Sequence, residues 1–435
     1  MTTGADARPV PGSRSSDTLV VWGEELLGYR WSPSHPMNPV RLALTVGLAR
    51  GLGILDGVET LAPTVADDPL LHLVHRSEYI AAVRDAGAAA AGDPPPGWSR
   101  QVAERIFGLG TDDNPIFGSM HEAAALIVGG TVAAADAIAR GAARRAVNIG
   151  GGMHHAFAGR ASGFCIYNDC AVAIARLLDA GFDRIAYVDI DAHHGDGVQR
   201  RFAADPRVLT VSVHQHPATL FPGTGYPEEV GEGAASGTSV NLALPPGTPD
   251  RLWLRAFHAV VPSVVADFGP QVIVSQCGVD SHRADPLTDL HLTVDGQRAA
   301  MQAMRDLADE HCDGRWLAVG GGGYGVVDVV PRSWTHLLAV ALDRDLDPAT
   351  PTPEPWRESA AVAAATVAAD FATDVAVDTM GDGGSVDFDR WEGNWGQQPP
   401  DGIPAHLHQA TDAAILATRS AVFPLRGLDA GDPRD

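Results

Sequence analysis

Three short stretches concentrate the side chains that bind metals and move protons. Asp191 and His193 stand two apart within Asp189-Ile190-Asp191-Ala192-His193-His194-Gly195-Asp196. Just past a strand end, that spacing can turn both side chains toward one point. Asp280, which closes Gln276-Cys277-Gly278-Val279-Asp280, offers a second carboxylate. Two carboxylates and one imidazole leave a coordination position open, the pattern of a catalytic rather than a structural metal. An oxygen and nitrogen donor set suits Zn²⁺ or Fe²⁺. Alone, Asp-x-His also describes a solvated loop. The neighbouring Asp189, His194 and Asp196 weigh toward ligands, because so much charge at buried strand ends needs a metal or partners.

His154-His155 follows Gly150-Gly151-Gly152-Met153. A histidine pair after glycines reads either as packing or as acid–base equipment, and Asp189 and Asp196 could orient the two imidazoles. Tyr324 follows Gly320-Gly321-Gly322-Gly323. Such a run lets the backbone approach a ligand closely, although a flexible turn or a phosphate cradle would use it too. No Lys-Ser/Thr follows, which argues against a phosphate-binding loop. A phenol aimed at a metal would stabilise an oxyanion.

The elements that must position these groups are short apolar runs alternating with helical ones. Strand-like runs cover 146–149, 185–190, 208–213, 272–275 and 316–319, and residues 122–142 have helical spacing. Continuous apolar strands separated by helices predict a parallel sheet buried on both faces. Ligands bind beyond the carboxyl ends of such strands. All five runs lead into His, Asp or Tyr, which predicts one shared rim. The third of these runs, 208–213, ends at His214. Residues 93–97 (DPPPG) mark a loop before a helix. Residues 345–356, rich in Asp, Pro and Thr, read as a boundary. Beyond it come an Ala-rich helical stretch, the glycines of 381–384, a Trp-containing region and a last helix near 411–422. The domain reading is therefore an arm at 1–17, expected to be disordered, a catalytic domain at 18–347, and an extension at 348–435.

Composition limits the function classes. The chain has 435 residues and a net charge of −23, and all 31 of its basic residues are Arg. That balance excludes a general basic surface for nucleic acid and suits cationic peptide partners. Four cysteines (Cys165, Cys170, Cys277, Cys312) without a C-x-x-C pair make neither a disulfide framework nor a zinc knuckle. No uncharged apolar run of about 18 residues is evident, so neither a membrane span nor a membrane partner is expected. The polar N-terminus does not read as a secretory signal, and the cytoplasm is the expected location.

The motifs together resemble the histone deacetylase family of the arginase/deacetylase superfamily, in its class I-like bacterial acetoin-utilisation branch. The matching segments are 35–39 (HPMNP), 108–115 (GLGTDDNP), 150–156 (GGGMHHA), 163–169 (GFCIYND), 187–198 (YVDIDAHHGDGV), 221–225 (FPGTG), 276–280 with Asp285-Pro286-Leu287, and 320–324. They span residues 20–345 in family order. The Gly-Gly-Met-His-His form looks like class I; acetylpolyamine relatives show Pro-Gly-His-His. The resemblance implies an α/β fold with an eight-stranded parallel sheet flanked by helices. It implies Zn²⁺ or Fe²⁺ on Asp191, His193 and Asp280. It also implies K⁺ near Asp189, Asp191 and the backbone of His193, Ser212 and Val213. His155 with Asp196 would be general base and then acid, and His154 with Asp189 its electrostatic partner. Tyr324 would bond the substrate carbonyl. Gly163, Phe164, Phe221 and Leu287 would line an acyl-lysine channel, with Asp113 holding substrate backbone at the rim. Arg41 and Cys165 would lie near an inner cavity where acetate leaves. The implied activity is hydrolysis of acetyl-lysine in an acetylated protein or peptide. An acetylpolyamine or small-amide hydrolase and an inactive acetyl-lysine-binding module are the alternatives. An oligomer is compatible with all of these.

Overall fold

Val, Ile, Leu and Ala runs that bury both faces build one sheet whose eight strands are all parallel. The structure is a computed structural model that describes residues 17–372, 377–392 and 402–435. The expected arm, except Asp17, and Trp395 of the Trp-containing region lie outside the described residues. The strands are β1 (Thr18–Val21), β2 (Thr60–Leu61), β3 (Arg145–Asn148), β4 (Ile185–Asp189), β5 (Val208–Gln215), β6 (Ser239–Leu244), β7 (Val272–Gln276) and β8 (Trp316–Val319). Their order across the sheet is β2-β1-β3-β8-β7-β4-β5-β6. The five strand-like runs are therefore strands, with ends shifted by one or two residues. The short β2 and the strands β1 and β6 complete the sheet.

The sheet order explains where the chemistry collects. β3, β8, β7 and β4 are contiguous at the centre, although they are far apart in sequence. Their register aligns Asn148, Val319, Gln276 and Asp189 in one row, and Ser212 of β5 pairs with Asp189. Each strand thus releases its polar loop at the same height.

Helices cover both faces. Met120–Ala139 and Asp169–Asp179 pack together on one side. Val40–Gly51, Val329–Ala341, Val294–His311 and Asp250–Phe268 lie side by side on the other. Met120–Ala139, which carries Glu122 and Asp136, is long and apolar enough to cross a membrane by length and composition alone, and 78% of its most apolar 18 residues are buried inside the protein. A helix packed on a sheet through one face and on a second helix through another becomes apolar nearly all round.

The extension packs on this body. Trp356 of helix Glu354–Ala364 donates its indole N–H to the Leu44 carbonyl (2.9 Å). Helix Ala405–Val422 runs against β6 and helix Asp250–Phe268, and Thr418 donates to the Asn241 carbonyl on β6 (2.7 Å). Arg419, 1% exposed, lies over the rings of Trp391 and Phe423 and donates to the carbonyls of Ala259, Ala430, Asp429 and Asp432. Arg419→Ala removes both the stacking and donors for four carbonyls. It should lower stability by at least ~2 kcal/mol, read as a fall in Tm; an unchanged Tm would show that the helix docks without it.

Candidate active site

β4 ends at Asp189, and the chain turns at once, with the Asp191 N–H donating back to Asp189 Oδ1 (3.1 Å). That turn aims Asp191 and His193 at Asp280, which leaves the end of β7. The donor atoms of the three residues lie within 4.8 Å of one another, and all three are buried. His193 Nδ1 is 3.1 Å from Asp191 Oδ1 and 2.9 Å from Asp280 Oδ2. The other oxygens are anchored. Asp280 Oδ1 accepts the Ala192 N–H (2.7 Å). Asp191 Oδ2 accepts from Gln276 Nε2 and from the Gly322 N–H, both at 2.8 Å. A Cβ on Gly322 would overlap the Asp280 carboxylate, so the glycine run is needed here for close approach.

Crowding shapes the charges. Burial, reinforced by the charge of Asp191, pushes Asp280 up to about 7. Burial opposes ionisation of Asp191 too, but His154 and His193 hold that carboxyl well below its ordinary range. Burial would lower His193, and the two carboxylates outweigh it, raising the imidazole to about 10. A proton on His193 Nδ1 thus occupies the place where a cation would be shared. Two carboxylates and one imidazole converging on that point fit a divalent ion.

Two histidine–carboxylate pairs stand beside this trio. His154 Nδ1 donates to Asp189 Oδ2 (2.8 Å), which also accepts from the Tyr187 hydroxyl (2.7 Å). His155 Nδ1 donates to Asp196 Oδ1 (2.7 Å), which also accepts the Gly197 N–H (2.9 Å). The two Nε2 atoms are 3.0 Å apart, so the imidazoles do not both carry charge. Burial would lower His154, but Asp189 and Asp191 raise it to about 9. Burial and the charge of His154 lower His155 to about 4, against Asp196. Like neighbours pushed apart in this way divide acid and base roles.

A cavity of about 220 Å³ opens above these groups, lined by Asp113, His155, Gly163, Phe164, His193, Leu220, Phe221, Leu287 and Tyr324. Its walls are mostly apolar. Phe221 is 44% exposed at the mouth and meets the His155 ring edge-on (5.1 Å). Phe164 packs edge-on against Tyr324 (5.7 Å). Phe164 has φ +66°, an uncommon conformation for a bulky residue. The Tyr29 hydroxyl holds it there by donating to the Phe164 carbonyl (2.8 Å). Asp113 is exposed at the rim. The Tyr324 phenol is raised well above 10 by burial and by Asp280 and Asp191, so it stays a donor. Arg41 donates to the carbonyl of Gly323, next to Tyr324 (2.9 Å), and Cys165 Sγ to that of Gly163 (3.2 Å).

Every residue expected at the centre or in the channel is brought there, and the loop after β5 reaches the cavity through Leu220 and Phe221, but His214 itself does not. His214 bonds Ser212 Oγ and the Gly225 carbonyl (both 2.9 Å), away from the trio. His194 likewise turns to Thr224 (2.9 Å) and Gln199 (3.0 Å) and lines a separate cavity of about 320 Å³. His193 and His194 leave the bend after β4 in different directions, so adjacency to His193 did not imply a shared site. Three supporting residues had no assigned role in the sequence reading. Asn168 donates to the His154 and Ala156 carbonyls (both 3.0 Å). Asp169 accepts the Gly152 (3.1 Å) and Met153 (2.7 Å) N–H groups. Asp285 accepts the Leu287 (3.0 Å) and Tyr324 (2.8 Å) N–H groups. Asn168 before an apolar helix was readable as an N-cap; nothing local marks what Asp285 holds.

The histone deacetylase domain family matches residues 35–341. The acetoin utilization protein AcuC of Bacillus subtilis is 42% identical over 342 residues, 78% of this chain and 85% of that protein. AcuC of Staphylococcus xylosus is 39% identical over 339 residues, 78% of this chain and 86% of that protein. An HDAC homolog solved in complex with SAHA superposes with a TM-score of 0.75 at 27% identity, covering 92% of this chain and 100% of that one. An HDAC homolog from Aquifex aeolicus gives 0.74 at 27% identity, with the same coverage.

A divalent ion must displace the proton held at His193 Nδ1. Its uptake near pH 7 should release between about one and two protons per ion, one from His193 and part of one from Asp280, followed with a pH indicator under weak buffering. Asp280→Ala should lose the ion on dialysis. Full occupancy of that variant would remove Asp280 from the ligand set.

Proposed function

Since the chain belongs to the histone deacetylase family, we propose that it hydrolyses the amide of N6-acetyl-lysine in proteins or peptides, releasing acetate and the free lysine. The observation that carries this reading is the aromatic-walled cavity of about 220 Å³ lined by His193, His155 and Tyr324. An acetylated lysine side chain is long, thin and neutral, and such walls suit its alkyl stem. The exposed carboxylate of Asp113 suits the backbone N–H groups of an extended peptide. Asp191, His193 and Asp280 would hold Zn²⁺ or Fe²⁺. Asp189, paired with Ser212 across β4 and β5, would with neighbouring backbone carbonyls hold K⁺.

The divalent ion, when bound, supplies Lewis-acid polarisation of the acetyl carbonyl and acidifies the attacking water. His155 enters the reaction neutral, with Nδ1–H fixed on Asp196; its Nε2, which accepts the His154 Nε2–H in this structure (3.0 Å), would exchange that bond for a proton from water as the water oxygen bonds the carbonyl carbon. Tyr324 donates its hydroxyl proton in a hydrogen bond to the developing oxyanion. The C–N bond then breaks, the His155 imidazolium passes its proton to the lysine nitrogen, and acetate remains. His154, charged and held by Asp189, supplies a fixed positive neighbour as negative charge develops. Arg41 and Cys165 would flank the path by which acetate leaves.

The relatives named for acetoin utilisation support a link to acetoin or acetyl-CoA metabolism. Four buried, unpaired cysteines suit a reducing compartment, and we take the cytoplasm as the setting. The acidic surface favours cationic protein segments over nucleic acid or a membrane as partners.

The decisive experiment incubates metal-loaded protein with acetyl-lysine peptides and, separately, with acetylated spermidine or putrescine, and follows acetate. Turnover of peptides is expected. Turnover of polyamines alone would replace the lysine reading, and turnover of neither would favour a binding module. Tyr324→Phe should lower kcat by about 10²–10³-fold with little change in KM; unchanged kcat would remove the phenol from the mechanism. The pH profile should be bell-shaped. Its acid limb lies below the ordinary histidine range, where His155 becomes protonated and no longer accepts. Its basic limb lies above that range, where His154 loses its charge. An acid limb at the ordinary value of about 6.5 would show that His155 is not the depressed member of the pair.

A further inference from the structure

The C-terminal extension reaches into the turn that carries Asp280. His282 follows two residues later in that turn and is 0% exposed. Its Nδ1 accepts the Ala284 N–H (3.1 Å), which fixes the ring proton on Nε2. Nε2–H then donates to Asp382 Oδ2 (2.8 Å). The same oxygen accepts the Val294 N–H (3.0 Å), and Asp382 Oδ1 accepts Arg332 Nη1 (2.7 Å). The Asp382 side chain is 2% exposed and the Arg332 side chain 0%. Asp382 lies well beyond residue 341, where the family match ends.

The strap that delivers Asp382 is itself fastened. Asp295 Oδ2 accepts the backbone N–H groups of Asp382 (2.8 Å) and Gly384 (3.1 Å). A Cβ on Gly384 would overlap the Thr293 hydroxyl, so the strap presses directly on the start of helix Val294–His311. One carboxylate from the extension therefore ties together three parts of the body: the Asp280 turn through His282, the start of one helix through Val294, and helix Val329–Ala341 through Arg332.

The Asp280 turn has other restraints: Asp280 Oδ1 itself accepts the Ala192 N–H (2.7 Å), Ser281 Oγ accepts from Gln297 Nε2 (3.2 Å), and the rest act on backbone. Thr288 Oγ1 donates to the Asp280 carbonyl, Gln297 Nε2 to the Val279 carbonyl (2.9 Å), and the Val279 N–H to the Gly322 carbonyl. His282 is a buried side-chain anchor of the turn, and it is the one whose partner is supplied from outside the family-matched region. We propose that Asp382 is a positioning residue for the metal centre, fixing the direction of Asp280 through His282. A carboxylate whose aim is set within a few tenths of an ångström keeps its ion longer, and outer partners of metal ligands commonly matter 10–100-fold in affinity.

The inference rests on the metal-site reading above, and the test separates the two. Zn²⁺-loaded full-length protein is mixed with excess chelator, and ion release is followed for the wild type, Asp382→Asn, His282→Asn and the double variant. Asp382→Asn should release Zn²⁺ about ten-fold faster and lower kcat with KM little changed. The double variant should be no faster than Asp382→Asn alone, as expected when the His282 substitution breaks a link that Asp382→Asn already breaks. Trp356→Phe, which loosens the extension at helix Val40–Gly51 instead, should lower Tm without changing release. Release at the wild-type rate from Asp382→Asn, or equal acceleration by Trp356→Phe, would overturn the inference and leave the metal centre standing. If Asp382→Asn does not fold, His282→Asn carries the same comparison. A wild type that takes up no Zn²⁺ would sink the metal-site reading and this inference with it.

Discussion

Two carboxylates and an imidazole converge in a buried space at the floor of the cavity, and the fold is arranged to make that tolerable. Asp191 and Asp280 are 1% and 0% exposed, around a single His193 nitrogen. Unpaired charge in such a place is costly unless a cation or a proton sits among it. Every remaining oxygen of the two carboxylates is matched to a donor: the Ala192 and Gly322 amides and the Gln276 side chain. Those donors come from three different central strands or the turns behind them. The trio therefore exists only when β4, β7 and β8 stand side by side.

The same constraint divides the two neighbouring imidazoles. With Nε2 atoms 3.0 Å apart, a charge on one discourages a charge on the other. His154 faces the more crowded carboxylates and takes the charge. His155 faces Asp196 and the cavity, and is left neutral. Nearly identical side chains, adjacent in sequence, thus acquire opposite tasks from their surroundings. The aromatic wall adds the complementary requirement, an apolar passage leading to these groups. Phe164 keeps a left-handed backbone to supply it, a conformation that costs of order 1–3 kcal/mol and persists only where its surroundings impose it. The hydrogen bond from Tyr29 is part of that imposition.

Support for the centre extends well past the groups that face the cavity. Asn168 and Asp169 grip the backbone of the histidine loop, and Asp285 grips the amide of Tyr324. The extension is part of the same body: Arg419, Trp356 and Asp382 each fasten it to a different helix of the sheet's outer layer.

Residue types and their order along the chain determined much of this. Short β-branched runs between helical ones specify a parallel sheet. Asp-x-His, His-His and Gly₄-Tyr, each placed after such a run, specify which strand ends carry chemistry. Those features are local, because strand propensity and two-residue periodicity are written in neighbouring positions. Tertiary structure decided what neighbours cannot encode. The order of strands in the sheet, and not their order in the chain, puts β3, β8, β7 and β4 together and leaves His214 of β5 outside. The direction in which each side chain leaves its turn includes His193 in the centre and sends His194 to another cavity. The partners of Asp285 and of His282 lie at residues 324 and 382, distances along the chain over which no local pattern persists, so only folding could bring them together.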